Sequence, residues 1–156
     1  IITSFENALA GSIALTAFIP MIMNTGGNSG SQSSVAIIRS LALDDIVFKD
    51  IGKIIFKEAR VSVICGVILA VANYVKIMLV DNLLLGSGVP SEVALVVCLT
   101  LLLTVVAAKI IGCTLPLLAK LCRLDPAVMA SPFITTIVDA ISLFVYFTIA
   151  SAMLGI

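Results

Sequence analysis

Long apolar runs broken by short polar and charged clusters pattern the chain, and each run is near or above the roughly 20 residues that a membrane-crossing helix needs. Four spans are expected, at about residues 7–41, 61–80, 93–119 and 126–154. The first lies in a stretch of 32 uncharged residues between Glu6 and Arg39, yet its apolar character stops at Met23, where a run of Asn, Gly, Ser, Thr and Gln begins and lasts to Ser34. The second is interrupted only by Lys76, the third only by Lys109, and the single charge of the fourth is Asp139. Between the first two spans, about residues 42–60 collect Asp44, Asp45, Lys49, Asp50, Lys53, Lys57, Glu58 and Arg60, a water-exposed and partly helical connector.

The fold class that follows is all-α, a polytopic transmembrane helix bundle running up-down-up-down. Basic residues mark the 42–60 connector and, as Lys120 and Arg123, the loop between spans three and four; the opposite loops carry only Glu6, Asp81 and Glu92 as charges. The positive-inside rule then sets the basic loops in the cytoplasm. Both ends of the chain fall outside, and it opens Ile1-Ile2-Thr3 without an initiator Met or a signal-peptide pattern. It reads as a piece of a longer protein, with one further helix expected upstream to make a five-helix subunit.

Composition removes many functions. The chain is 61% hydrophobic and 12% charged, with nine basic and nine acidic residues and no His. There is no basic patch for nucleic acid, no zincin motif and no His-based triad. Cys65, Cys98, Cys113 and Cys122 form no CxxC pair, and most read as small hydrophobes. Lys76 and Lys109 lie towards helix ends, where long lysines reach the interface; Gly11, Gly66 and Gly112 are read as points of close helix approach.

Asp139 carries the sharpest chemical signal, about 20 Å along a helix from Pro126 and so near mid-bilayer. A carboxylate there is costly and normally faces a bundle interior or a water-filled path. Ser131, Thr135, Asp139, Ser142 and Tyr146 recur at helical spacing and predict one polar stripe. A second signal is Pro20 with Gly26, Gly27 and Gly30, which are expected to loosen the first span and expose backbone carbonyls. With Asn24, Asn28 and Gln32 these make an oxygen-rich lining free of sulfur and imidazole, suited to hard cations. One carboxylate among neutral oxygens fits Mg2+, an ion that keeps several of its waters. Walker A, GxGxxG and EF-hand patterns are absent.

Pro20, Gly27-Asn28-Ser29-Gly30-Ser31-Gln32, Ile38-Arg39-Ser40-Leu41-Ala42, Asp125-Pro126-Ala127 and Pro132 leading to Asp139 together resemble the membrane domain of MgtE-type magnesium channels over essentially the whole chain, with Ser4-Phe5-Glu6 similar to the stretch after that family's first membrane helix. The resemblance implies a homodimer of five-helix subunits in the plasma membrane, in bacteria the inner membrane, with Mg2+ crossing through a pore at the subunit interface. It implies Asp139 as the central cation ligand, Thr135, Asn24 and Gly27 contributing backbone carbonyls, Ser31 nearby, and Pro20, Asn28, Gly30, Gln32, Ser131 and Ser142 along the pathway. The chain departs from the family pattern in having Asn at Asn24 and Ser at Ser31, which bears on the choice among Mg2+, Mn2+ and other divalent ions. The family's cytosolic regulatory domains are absent from this sequence.

Other classes remain beside the channel. A proton- or sodium-coupled secondary transporter also uses broken helices at the midplane. An aspartyl protease needs two carboxylates sharing a site, and only Asp139 lies deep in a span, so no enzyme is expected. A structural membrane subunit would make Asp139 an interhelical hydrogen-bonding group only.

Overall fold

The computed structural model describes residues 13–46, 48–129 and 131–155. Ser4, Phe5, Glu6 and Gly11 lie outside the described residues. The described residues form four α-helices: α1 (Ile13–Ala42), α2 (Ile51–Lys76), α3 (Ser91–Leu121) and α4 (Ser131–Leu154). A 3-10 turn at Phe48–Asp50 leads into α2, which runs on as a π-helical stretch over Ile77–Leu84, and another at Pro126–Met129 leads towards α4. Ile51–Leu84, Ser91–Leu121 and Pro132–Leu154 are each long and apolar enough to cross a membrane.

The helix α3 is the hub. It packs against α1, α2 and α4, and α1 also packs against α4. In the most apolar stretch of α3 half of the residues are buried, against 11% in the corresponding stretch of α2. Accordingly Val63, Ile64, Val67, Ile68 and Val71 of α2 are exposed apolar side chains, the surface that a helix offers to lipid rather than to water. The main core joins Leu15, Phe18 and Ile22 of α1 to Val96, Val97 and Leu101 of α3 and to Tyr146 and Phe147 of α4. Tyr146 donates its hydroxyl hydrogen to the Leu15 carbonyl at 2.9 Å, so the one polar atom of that large buried side chain is satisfied.

The first helix departs from expectation. Pro20 and the glycines do not break it; α1 is one helix through the whole Asn24–Ser34 run. Its polar second half also makes it the one long helix that is not apolar enough to cross a membrane on composition alone, among the described residues. Glycines in a helix interior each lose about 1 kcal/mol relative to Ala, and close packing offsets this. A Cβ on Gly26 would stand 2.7 Å from Thr104 Cγ2 and 2.8 Å from Ser142 Oγ, and one on Gly30 would stand 3.0 Å from Ile134 Cγ2. Most severely, a Cβ on Gly112 of α3 would fall onto the carbonyl of Gly30. The two helix backbones touch there, which is what small residues in membrane helices allow. Gly66 likewise faces the backbone of Leu102, 3.2 Å from its carbonyl oxygen to an added Cβ.

Loop closure is local. The Asn82 side chain donates to the Val89 carbonyl at 2.9 Å and accepts from the Val89 N–H at 2.8 Å, bracketing the turn between the π-helical stretch and α3. Lys76 ends in an ion pair with Asp81 at 2.7 Å, its ammonium 6.0 Å from the centroid of the Phe18 ring.

Candidate functional site

One face of α1 and one face of α4 enclose a cavity of about 410 Å3. From α1 come Pro20, Asn24, Gly27 and Asn28, four positions that fall within an arc of about 100° around the helix. From α4 come Thr135 and Asp139, one turn apart. Ile19 and Met23 complete the wall. Six residues singled out from the sequence thus meet around one space.

Asp139 is partly exposed, and among the described residues it makes no hydrogen bond or ion pair. It stands about 12 Å along the axis from Ser131, where α4 begins, rather than 20 Å from Pro126, because Pro126–Met129 is a 3-10 turn and not part of α4. Gly27 keeps the approach to it open: a Cβ there would lie 3.7 Å from Asp139 Oδ1 and 3.1 Å from Thr135 Cγ2. The Thr135 hydroxyl donates back to the Pro132 carbonyl at 3.0 Å, so its hydrogen is committed inside the helix. Asn28 donates from its side-chain amide to Asn24 Oδ1 at 3.2 Å, holding the two amides as a pair along the wall.

The remaining sequence candidates are distributed elsewhere. Ser31 and Gln32 line a second cavity of about 500 Å3, with Asn28 common to both and Arg39 at its far end. Gly30 faces away, into the contact with Ala108, Gly112 and Ile134. Ser142 is buried and donates to the Val138 carbonyl at 2.6 Å, beside Gly26. The side chain of Ser131 lies outside the described residues. The expected stripe on α4 therefore divides: its Thr135–Asp139 part faces the cavity, and its Ser142–Tyr146 part is buried among protein atoms. Level along the helix explains this rather than angle, since Tyr146 lies only about 20° around from Asp139 but two turns further on, where Leu15 and Phe18 of α1 pack against it.

A polar cluster that sequence reading missed lies behind α1. Ser33 donates to Glu58 Oε2 at 2.8 Å, and the Lys109 ammonium is 4.0 Å from the same oxygen. The Lys109 and Glu58 side chains are only 13% and 19% exposed, so Lys109 meets an acid inside the bundle instead of reaching for the interface. The available signal was that Glu58 is the only acid between Asp50 and Asp81. Lys109 borders a third cavity of about 430 Å3, with Thr25, Ser29 and Gln32 of α1 and Cys65 of α2.

Chemically, the first cavity offers one carboxylate, two side-chain amides and helix carbonyls, each carbonyl oxygen keeping a second lone pair after its helical hydrogen bond. No group of three or more Cys, Asp or Glu side chains gathers among the described residues. The Met23 thioether on the wall departs from the sulfur-free lining expected, but the remaining acceptors are oxygens with one carboxylate among them, which favours a hard cation that retains water over a fully protein-caged one.

Comparison with known proteins gives an independent result. The family model MgtE, described as divalent cation transporter, matches residues 19–149. The chain is 36% identical over 158 residues to a Bacillus subtilis (strain 168) protein named magnesium transporter MgtE, covering 99% of this chain and 33% of that protein. Proteins of the same name from Thermus thermophilus and Enterococcus faecalis are each 32% identical, over 99% and 97% of this chain and 32% of their own lengths. The chain spans about a third of the length of these relatives.

Proposed function

This chain belongs to the MgtE family of divalent cation transporters, a family of transporters and not of enzymes, and we propose that it carries Mg2+ across a membrane along the cavity between α1 and α4, with Asp139 as the charged ligand. The observation that carries this reading is an unpaired carboxylate facing an open, oxygen-lined cavity within a helix apolar enough to span a bilayer. Such a group stands in a membrane only with a partner or a task. Asn24, Gly27 and Thr135 add backbone carbonyls at the same level, with Asn28 and Pro20 along the wall and Ser31 and Gln32 on the continuation of the path. The ion keeps most of its waters, and Mn2+ or another divalent ion competes through the same oxygens.

Only α1 and α4 line the cavity, and no described residue of α3 borders it. A polar opening of this kind is unstable against hydrocarbon, and a second copy of the chain covering it makes a homodimer with the pore at the interface. The 42–60 connector and the Lys120–Arg123 loop lie in the cytoplasm of this arrangement, and the membrane is the plasma membrane of a bacterium, the source of all three relatives. Residues 1–156 form the membrane domain, and the rest of a longer protein supplies cytosolic regulation.

Divalent-ion flux into proteoliposomes containing the full-length protein tests the proposal, with wild type and Asp139→Asn compared under imposed voltage and pH gradients. Loss of the full charge at a ligand to a dication lowers voltage-driven Mg2+ flux by at least about tenfold. Flux that follows the proton or sodium gradient instead of voltage would replace the channel with a coupled transporter, and an unaffected variant would make Asp139 structural.

A further inference from the structure

The polar path does not end at Asp139. At Asn28 the first cavity adjoins the second, which continues down the same face of α1 past Ser31 and Gln32 to Arg39. Eleven residues of helix separate Asn28 from Arg39, about 16 Å. Arg39 is exposed, and among the described residues no carboxylate lies within ion-pair distance of its guanidinium. It lies in the last turn of α1, where a cation gains from the helix C-terminal carbonyls. That gain accounts for a positive charge at this end of the helix and not for its place on the cavity wall.

We propose that Arg39 is a fixed positive charge at the cytoplasmic mouth of the path and that it biases ion flow against entry from that side. The inference rests on the pathway reading above. The charge is fixed on the helix. It lowers the local concentration of cations at that mouth by a Boltzmann factor, and for a dication that factor is the square of the monovalent one. Ions entering at the opposite mouth meet Asp139 before they meet Arg39. Flow from outside is therefore limited by arrival at the carboxylate, whereas flow from the cytoplasm is limited by approach to the guanidinium. The path conducts better inward than outward without a moving gate.

Mg2+ currents of the full-length protein in planar bilayers, recorded at both polarities in symmetric Mg2+, test this with wild type, Arg39→Lys and Arg39→Gln. At low ionic strength the wild type passes less current from the connector side, and Arg39→Gln raises that current about threefold while the opposite polarity changes little. Arg39→Lys keeps the asymmetry. In about 1 M monovalent salt the screening length falls to about 3 Å, and wild type and Arg39→Gln converge. An unchanged current ratio in Arg39→Gln at low salt overturns the proposal. So does a wild-type asymmetry that persists in high salt, a measurement that decides the matter even where the Gln variant does not fold. Failure of the pathway reading shows separately, as wild-type current that Asp139→Asn leaves intact.

Discussion

The two faces of α1 use the same few residue types for opposite ends. On one, Gly26 and Gly30 let α3 and α4 come into backbone or near-backbone contact, and Ser33 is closed off from solvent. On the other, roughly 140° around the helix, Pro20, Asn24, Gly27 and Asn28 border open space. Glycine is small on both faces, but on the first its missing side chain is replaced by a neighbouring helix and on the second by a cavity. Composition describes the segment as polar and pliant; only the neighbour opposite each residue decides whether that means packing or passage.

The closed face breaks first. Gly112→Ala puts a methyl group onto the Gly30 carbonyl, and the helices separate or the fold is lost. The expected cost is about 3 kcal/mol, at the upper end for an overpacked core, read as a large fall in thermal unfolding temperature in detergent by circular dichroism. Asn24→Ala on the open face, measured beside it, unfolds near the wild-type temperature. An equal fall in both variants would erase the distinction between the faces.

A smaller effect is expected behind the closed face. Glu58→Gln removes the charge opposite Lys109 while keeping an acceptor for Ser33. Leaving a largely buried ammonium without its acid costs about 2 kcal/mol here, less than for a fully buried pair. Lys109→Met in the same background removes the orphaned charge, and the double variant recovers at least half of the lost stability. A double-mutant cycle of unfolding free energies measures the coupling, and simple additivity would show that the two side chains do not interact.

What could be read from the letters alone was chemistry with local spacing. Asp139 is a charge in an apolar helix, Thr135 lies one turn before it, and Pro20, Asn24 and Asn28 repeat at helical intervals; all of these meet at one cavity. The all-α membrane bundle follows from the same apolar runs. Properties that depend on a partner across a long sequence gap were not readable. Glu58 meets Lys109 only because α2 and α3 pack side by side. Gly30 meets Gly112 only because α1 crosses α3 at that level. How little Pro20 and its glycines loosen α1 depends on its neighbours in the same way, since tertiary packing outweighs intrinsic helix propensity.

Gly27 lies at the edge of the open face, against Thr135 as well as the cavity, and gives the smallest and most discriminating test. In Gly27→Ala, higher helix propensity contributes about 1 kcal/mol and opposes the strain of a Cβ 3.1 Å from Thr135 Cγ2, so stability stays within about 1 kcal/mol of wild type. The same methyl group reaches to 3.7 Å from Asp139 Oδ1. It takes room that a hydrated dication needs, and Mg2+ flux in proteoliposomes is expected to fall about threefold, by exclusion of one water-sized volume beside the carboxylate. Adding Thr135→Ser removes the methyl that the new Cβ would press upon but leaves the crowding at Asp139. The double variant therefore regains stability without regaining flux. Recovery of both together would assign Gly27 to helix packing and join it to Gly26 and Gly30 on the closed face.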